Sequence, residues 1–313
     1  MEIWRWILVV MLFGCVTAEQ RRVKRFKVGI KSNLTFDFQL TPKEPECGVP
    51  SSNTHSRIVG GVPSVLGAWP WIAVLMFTMN DDLNDRYFGG GGTLISLNHV
   101  ITAAHCVEKT FPKILSVVRL GDLDLNTTVD DGAAPVEIPV MGFTTHPNYK
   151  HETAQVYPHH DISIIKLKHP AVLTNFIKPI CLPTLPELRT DNFERKSPFV
   201  IGWGQTSSKG SRSSTLLEAQ VTVVEHEICK SSYEKMNVHV TRGQICAGGD
   251  SKDSCTGDSG GPLMLPQSGK YYIIGIVSLG LGCADVDYPG LYTKVPDYVD
   301  WILDNTRQQK NSK

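Results

Sequence analysis

The chain has 313 residues, 41% of them hydrophobic, which is enough to bury a substantial core in one large domain or two small ones. Lysine plus arginine and aspartate plus glutamate balance at 31 each, so no basic excess points to nucleic acid or to an anionic membrane surface.

The N-terminus reads as a secretory signal peptide over residues 1–18. Arg5 comes early, an apolar run extends from Ile7 to Val16, and Val16-Thr17-Ala18 suits cleavage near Ala18. The run is too short to span a bilayer, and no later segment offers about 20 uninterrupted apolar residues, so a secreted, extracellular protein without a membrane span is expected. Secretion changes the reading of the cysteines. Of eight, Cys15 leaves with the signal, and Cys47, Cys106, Cys181, Cys229, Cys246, Cys255 and Cys283 remain. Seven is odd, so in an oxidising compartment one thiol lacks an intramolecular partner. Asn33-Leu34-Thr35 and Asn126-Thr127-Thr128 are N-glycosylation acceptors.

Residues 19–57 differ from the rest and read as a pro-segment or linker. Arg21-Arg22-Val23-Lys24-Arg25 is either a processing site or a solvated basic patch. Pro42, Pro45 and Pro50 interrupt regular structure, and one cysteine cannot staple a small domain. From Ile58 onward, apolar or β-branched runs recur at Trp71 to Phe77, Ser116 to Leu120, Ile162 to Leu167, Phe199 to Gly202, Ala219 to Val224 and Tyr272 to Ser278. Gly, Pro, Asn and Asp clusters separate them, which is the pattern of an all-β sandwich or barrel. Val295, Tyr298, Val299, Ile302 and Leu303 form one apolar stripe at helical spacing and predict a closing helix packed on the β-structure.

Three segments carry chemistry together: Thr102-Ala103-Ala104-His105-Cys106, His160-Asp161-Ile162, and Gly257-Asp258-Ser259-Gly260-Gly261-Pro262. A serine hydroxyl is a weak nucleophile and needs a neighbouring base, and imidazole titrates in the right range. That base needs a buried carboxylate to fix its tautomer. Glycines around Ser259 permit a tight turn and let backbone N–H groups converge on an oxyanion. Alone, each residue reads as structural; the order His, Asp, Ser is what points to catalysis.

With these motifs the chain resembles the chymotrypsin-type serine proteases. The match runs from Ile58 to the C-terminus and includes Arg57-Ile58-Val59-Gly60-Gly61, Gly202-Trp203-Gly204 and Pro289-Gly290-Leu291-Tyr292. Within that family it is most similar to arthropod extracellular proteases of haemolymph cascades and venoms, through Leu66 to Trp71, Arg119-Leu120-Gly121-Asp122 and Pro179 to Pro183, although the disulfide-rich clip domain of many of them is missing. The resemblance implies an all-β protease domain at 58–313, with two six-stranded antiparallel barrels and the active site between them. It implies His105 as general base, Ser259 as nucleophile, Asp161 as orienting carboxylate, and the N–H groups of Gly257 and Ser259 as oxyanion hole, with no cofactor for the chemistry.

The resemblance also implies a zymogen cut after Arg57 by a trypsin-like activator, the freed amine of Ile58 pairing with Asp258. Asp253, six residues before Ser259, would form the base of a pocket for Arg or Lys, with Ser254, Ser278, Gly280 and Gly290 around it. Family pairing joins Cys47 with Cys181, Cys229 with Cys246 and Cys255 with Cys283, which leaves Cys106 as a free thiol. The usual partner position of Cys106 is Gly90; among apolar neighbours the thiol would be inert. A second departure is Leu279, where the pocket wall usually carries an aromatic residue. Asp122, Asp124, Asp130 and Asp131 offer oxygen ligands for calcium, against the plainer reading of a solvated acidic loop. Implied partners are extracellular protein substrates, the activating protease and serpin-type inhibitors. Two alternatives remain at this stage. One is a non-catalytic homologue, disfavoured because all three catalytic positions are present. The other is a broad digestive trypsin, disfavoured by the long pro-segment and the paired Cys47 and Cys181.

Overall fold

A computed structural model describes residues 47–52, 61–79, 85–108, 113–126, 130–150, 158–206, 210–249, 254–255, 257–280, 285 and 287–307. The chain divides into Met1–Phe36 and Asp37–Lys313, and every described residue belongs to the second unit. The signal peptide, most of the pro-segment, Asn33, Arg57, Ile58, Asp253 and Cys283 lie outside the described residues. Among those described, no helix is long and apolar enough to cross a membrane.

The first half is a closed barrel of six antiparallel strands. These are β2 (Ile72–Met79), β3 (Arg86–Ser96), β4 (His99–Thr102), β5 (Lys113–Leu120), β6 (Val136–Thr145) and β7 (Ser163–Leu167), in the spatial order β2-β3-β4-β7-β6-β5. The apolar runs expected at β2, β5 and β7 form strands because the barrel wall gives them an interior to face. Leu75, Val100, Val118, Leu120 and Ile165 are all essentially inaccessible to solvent, and Trp71 and Ile101 are buried with them in the same apolar cluster. The longest strand, β3, is not visible as a hydrophobic run, because Gly89 to Gly92 occupy its middle. A side chain at Gly89 would meet the Phe77 ring at 2.4 Å, so close packing from β2 explains a residue type that weakens a strand taken alone.

The second half is a sheet ordered β1-β9-β8-β11-β12-β13-β10. Its strands are β1 (Val62–Pro63), β8 (Phe199–Gly202), β9 (Leu217–Gln220), β10 (Gln244–Ala247), β11 (Pro262–Gln267), β12 (Lys270–Leu279) and β13 (Gly290–Lys294). This differs from the expected six-stranded barrel in two ways. The short β1 is a seventh strand paired with β9, Val62 opposite Glu218. The circuit closes through one isolated bridge, Val223 to Ala247, flanked by Val224 N–H to Cys246 O at 2.9 Å. The expected strand at Ala219 to Val224 therefore splits into the end of β9 and this bridge.

Among the described residues there are also four short α-helices: α1 (Ala104–Val107), α2 (Pro186–Arg189), α3 (His226–Glu234) and α4 (Val299–Thr306). The closing apolar stripe is divided between a 3-10 turn, Val295–Tyr298, and α4. Val295, Tyr298, Val299 and Ile302 are buried, as expected of a face packed on the sheet. Glu218 is buried and accepts hydrogen bonds from Ser64 and from the Trp69 indole, both at 2.6 Å, tying the start of the domain to β9.

Candidate active site

His105 sits on α1, directly after β4, and Asp161 directly precedes β7, so the β4–β7 pairing of Thr102 with Ser163 brings them together. The carboxylate of Asp161 is 1% exposed. Its Oδ1 accepts the backbone N–H of His105 at 2.9 Å, and its Oδ2 lies 2.8 Å from His105 Nδ1. This fixes Nδ1 as the protonated nitrogen and leaves Nε2 facing the cleft. Two residues of the second sheet complete the socket. Ser278 Oγ donates to Asp161 Oδ2 at 2.6 Å, and Thr293 Oγ1 donates to the Asp161 carbonyl at 2.9 Å. The preceding residue, His160, takes a positive φ of 54° and contacts the Tyr298 hydroxyl through Nδ1 at 3.0 Å.

Burial opposes charge on both partners, and their pairing overcomes it. Burial would push Asp161 up, but the His105 charge and the hydrogen bonds from His105 and Ser278 hold it below the usual carboxylate range. Burial would push His105 down, but the Cys106 sulfur and the Asp161 carboxylate hold it well above the ordinary imidazole value.

Ser259 lies on the turn that leads into β11. Gly257 has φ 108° and Gly260 φ 80°, and a Cβ on Gly260 would come within 2.1 Å of Thr102 Oγ1. Only glycine lets this turn press against the barrel. Gly91 N–H donates to Ser259 O at 2.8 Å and Thr102 Oγ1 donates to Gly91 O at 2.8 Å, so β3 links the serine turn to the histidine segment. Asp258 is walled in by Gly202 and Gly204, and its carboxylate accepts N–H groups of Gly204 at 2.7 Å and Cys255 at 2.8 Å. Burial raises its pKa, and the two amides and the more distant Arg212 act against the rise.

The structure thus brings His105, Asp161 and Ser259 to the seam between the two halves. A serine on a glycine turn, tied through β3 to the segment of an imidazole that a buried carboxylate holds, is a set of groups suited to acyl transfer through a covalent intermediate. Ser254 is buried and receives the Tyr292 hydroxyl at 3.1 Å, and Gly290 pairs with Ala247 at the start of β13. Gly280 is exposed after β12. Ser278, expected in the substrate pocket, spends its hydroxyl on Asp161, a role that no sequence motif indicates.

The disulfides Cys47–Cys181 and Cys229–Cys246 are formed, and Cys255 is also disulfide-bonded. Cys106 is free; it packs against the apolar core on one side, but the ring of His105 stands on another, which the sequence reading did not include. It is half-buried, and its Sγ lies 3.5 Å from His105 Nε2. Gly90 faces it: a Cβ built there would stand 3.3 Å from the sulfur.

The four aspartates considered for calcium already hold protein donors. Asp122 pairs with Arg119 and takes the Leu123 N–H, Asp124 binds Thr215 and the Asn126 N–H, Asp131 binds the N–H groups of Asp124 and Ala133, and Asp130 takes that of Gly132. Among the described residues no group of three or more side chains is arranged to hold a metal ion. Asn126 is exposed, as a glycan acceptor must be.

Comparison with known proteins agrees with this geometry. The family model described as Trypsin matches residues 58–302. A venom serine protease of Bombus ignitus is 46% identical over 262 residues, covering 82% of this chain and 70% of the relative. A venom protease of Bombus pensylvanicus is 44% identical, covering 79% and 98%. A proclotting enzyme of Tachypleus tridentatus is 40% identical, covering 85% and 71%.

Proposed function

The chain belongs to the trypsin family and is a trypsin-like serine endopeptidase, and from that premise we propose that it is a secreted zymogen, cut after Arg57, that hydrolyses extracellular proteins after Arg or Lys. The observation that carries the catalytic part is the contact of His105 with Asp161 at 2.8 Å, beside a glycine turn bearing Ser259. In this reading His105 Nε2 takes the proton of Ser259 as the hydroxyl attacks the scissile carbonyl, then returns it to the leaving amine. Asp161 holds the tautomer and stabilises the imidazolium. The N–H groups of Gly257 and Ser259 receive the oxyanion.

Activation rests on Asp258. Both recorded partners of its carboxylate are backbone amides, and burial disfavours its charge. The α-amine of Ile58, once released, would supply a cation in direct contact, where the described residues offer only the more distant Arg212, and a buried carboxylate pulls strongly on such a partner. The bridge Cys47–Cys181 spans the Arg57–Ile58 bond in sequence, so the cleaved N-terminal piece stays attached. Asp253 at the pocket base selects Arg or Lys by a charge-assisted contact, with Ser254, Gly280 and Gly290 lining the approach. The relatives named for venom and for clotting support a place in venom or in a proteolytic cascade, with protein substrates and an upstream activating protease as partners; serpin-type inhibitors are a further part of the proposal, carried by the family resemblance alone. The signal-like residues 1–18 support secretion, and the acceptors at Asn33 and Asn126 support glycosylation.

The test is stepwise. Zymogen treated with a trypsin-like protease should gain a serine-directed phosphonate label at Ser259 only after cleavage at Arg57, and its fragments should separate on a gel only after reduction. Asp253→Ser should then cost orders of magnitude on Arg substrates. Labelling before cleavage, or Arg selectivity retained in that variant, would overturn the corresponding part.

A further inference from the structure

We propose that Cys106 is a redox-sensitive modification site, at which capping by a low-molecular-weight disulfide switches the protease off. The inference rests on the reading of His105 as the base that serves Ser259. It starts from an array of three groups rather than from an isolated cysteine. The Cys106 sulfur lies 3.5 Å from Nε2 of His105, and Nδ1 of the same ring is held by the buried Asp161 carboxylate at 2.8 Å. Thiol, imidazole and carboxylate are therefore in line, which is the arrangement that converts a thiol into a thiolate nucleophile.

A separate observation identifies the reaction partner as sulfur. Residue 90 is glycine, and the position its Cβ would occupy is 3.3 Å from Cys106 Sγ. The same Cβ would stand 3.9 Å from Cys106 Cβ, within the span of about 3.5–4.5 Å that two Cβ atoms keep across a disulfide. The fold has kept the geometry of a cystine and removed one half of it, leaving room for a second sulfur beside the first. Half-burial leaves the thiol reachable by a small reagent, and the slot at Gly90 also lies 3.1 Å from Ser259 O, so an added sulfur stands against the serine turn as well as beside His105.

The oxidant is the external disulfide itself, and with it the step balances. Cys106 passes its proton to His105 Nε2. The thiolate attacks one sulfur of RS–SR, the Cys106–sulfur bond forms as the old S–S bond breaks, and the departing RS⁻ recovers the proton as RSH. Cys106 is oxidised, the leaving sulfur is reduced, and cystine is a disulfide of the required class. The capped sulfur can no longer donate to or accept from Nε2, and the added group stands beside His105 and against the serine turn.

The experiment uses the activated full chain, treated with dithiodipyridine and, in parallel, with cystine. Stoichiometric release of pyridinethione from the native protein is expected, mapped to Cys106. Activity should fall at least tenfold in step with the release and return on mild treatment with free cysteine. The Ser259→Ala protein should release thione at the same rate, so thiol reactivity is read independently of the catalytic assignment. Failure of phosphonate labelling at Ser259 in untreated enzyme would count against that assignment and leave the thiol result standing. In Cys106→Ala, inactivation relative to its own untreated sample should vanish. Gly90→Cys, which fills the slot with the chain's own sulfur, should behave likewise, and serves if the alanine variant folds poorly. A native thiol that reacts only after unfolding, a capped enzyme with full activity, or a covalent dimer through Cys106 in place of the small-molecule adduct would each overturn the proposal.

Discussion

In the first barrel every neighbouring strand pair is joined by a ladder, from β2 round to β5 and back, whereas the second sheet closes through the single bridge between Val223 and Ala247. The cysteines follow the same division. Cys47, Cys181, Cys229 and Cys246 all pack in the clusters of the second half, and Cys255 stands beside its serine turn. The first barrel has Cys106 alone, and it is free. A fully laddered barrel has no open edge and buries its apolar side chains on all sides, so hydrogen bonds and packing suffice. An almost open circuit with longer connecting loops gains more from covalent closure.

The largest effect should show that catalysis belongs to neither half. His105→Ala removes a group of the first half and Ser259→Ala one of the second. Each is expected to lower kcat by about a million-fold, and the double variant should be no worse than either, because the two act as a unit. Additive losses in a kinetic comparison of the three proteins would break the picture of a single site built across the seam.

A smaller effect sharpens it. Asp161 is held by His105 from the first half and by Ser278 and Thr293 from the second. Asp161→Asn should lower kcat by about 10⁴-fold through the wrong tautomer. It should also move the acid limb of the pH profile. The base works as neutral imidazole, so activity is lost as pH falls through the pKa of His105. That value is held well above 6.5, in part by Asp161. The limb of the parent enzyme should therefore lie above pH 6.5, and that of the variant should shift acidward. An unmoved limb in kcat/KM against pH would show that the carboxylate does not set the ionisation.

The smallest effect concerns the staples. Breaking Cys229–Cys246, whose ends are 17 residues apart, should cost about 3 kcal/mol of stability by the chain-entropy argument. Gly90→Cys would close a loop of roughly 15 residues in the first barrel, for which the same argument gives about 3 kcal/mol. A Cβ at residue 90 meets Ser259 O at 3.1 Å, so strain should reduce the gain below the loss. Denaturant midpoints of the two variants would measure the asymmetry, and an equal or larger gain at residue 90 would contradict it.

The sequence by itself determined that the chain is rich in β-structure, where several of its strands run, and which residues are the candidates for the chemistry. Those signals are local: alternation and β-branched runs mark β2, β5, β7, β8 and β12, and short motifs mark His105, Asp161 and Ser259. That one cysteine of the seven beyond the signal-like segment lacks a partner was equally an expectation of the sequence, since parity needs no geometry. Tertiary structure decided the rest. Strand β3 carries four glycines that only the packing of Phe77, Val100 and the serine turn explains. The bridge at Val223 depends on a partner 24 residues away, which sequence pattern does not name. Ser278 becomes a support for Asp161 across 117 residues, and the free thiol becomes a neighbour of Nε2. Hydrogen bonds and contacts of this kind are fixed by how two closed sheets meet, and no local preference of the chain encodes the angle between them.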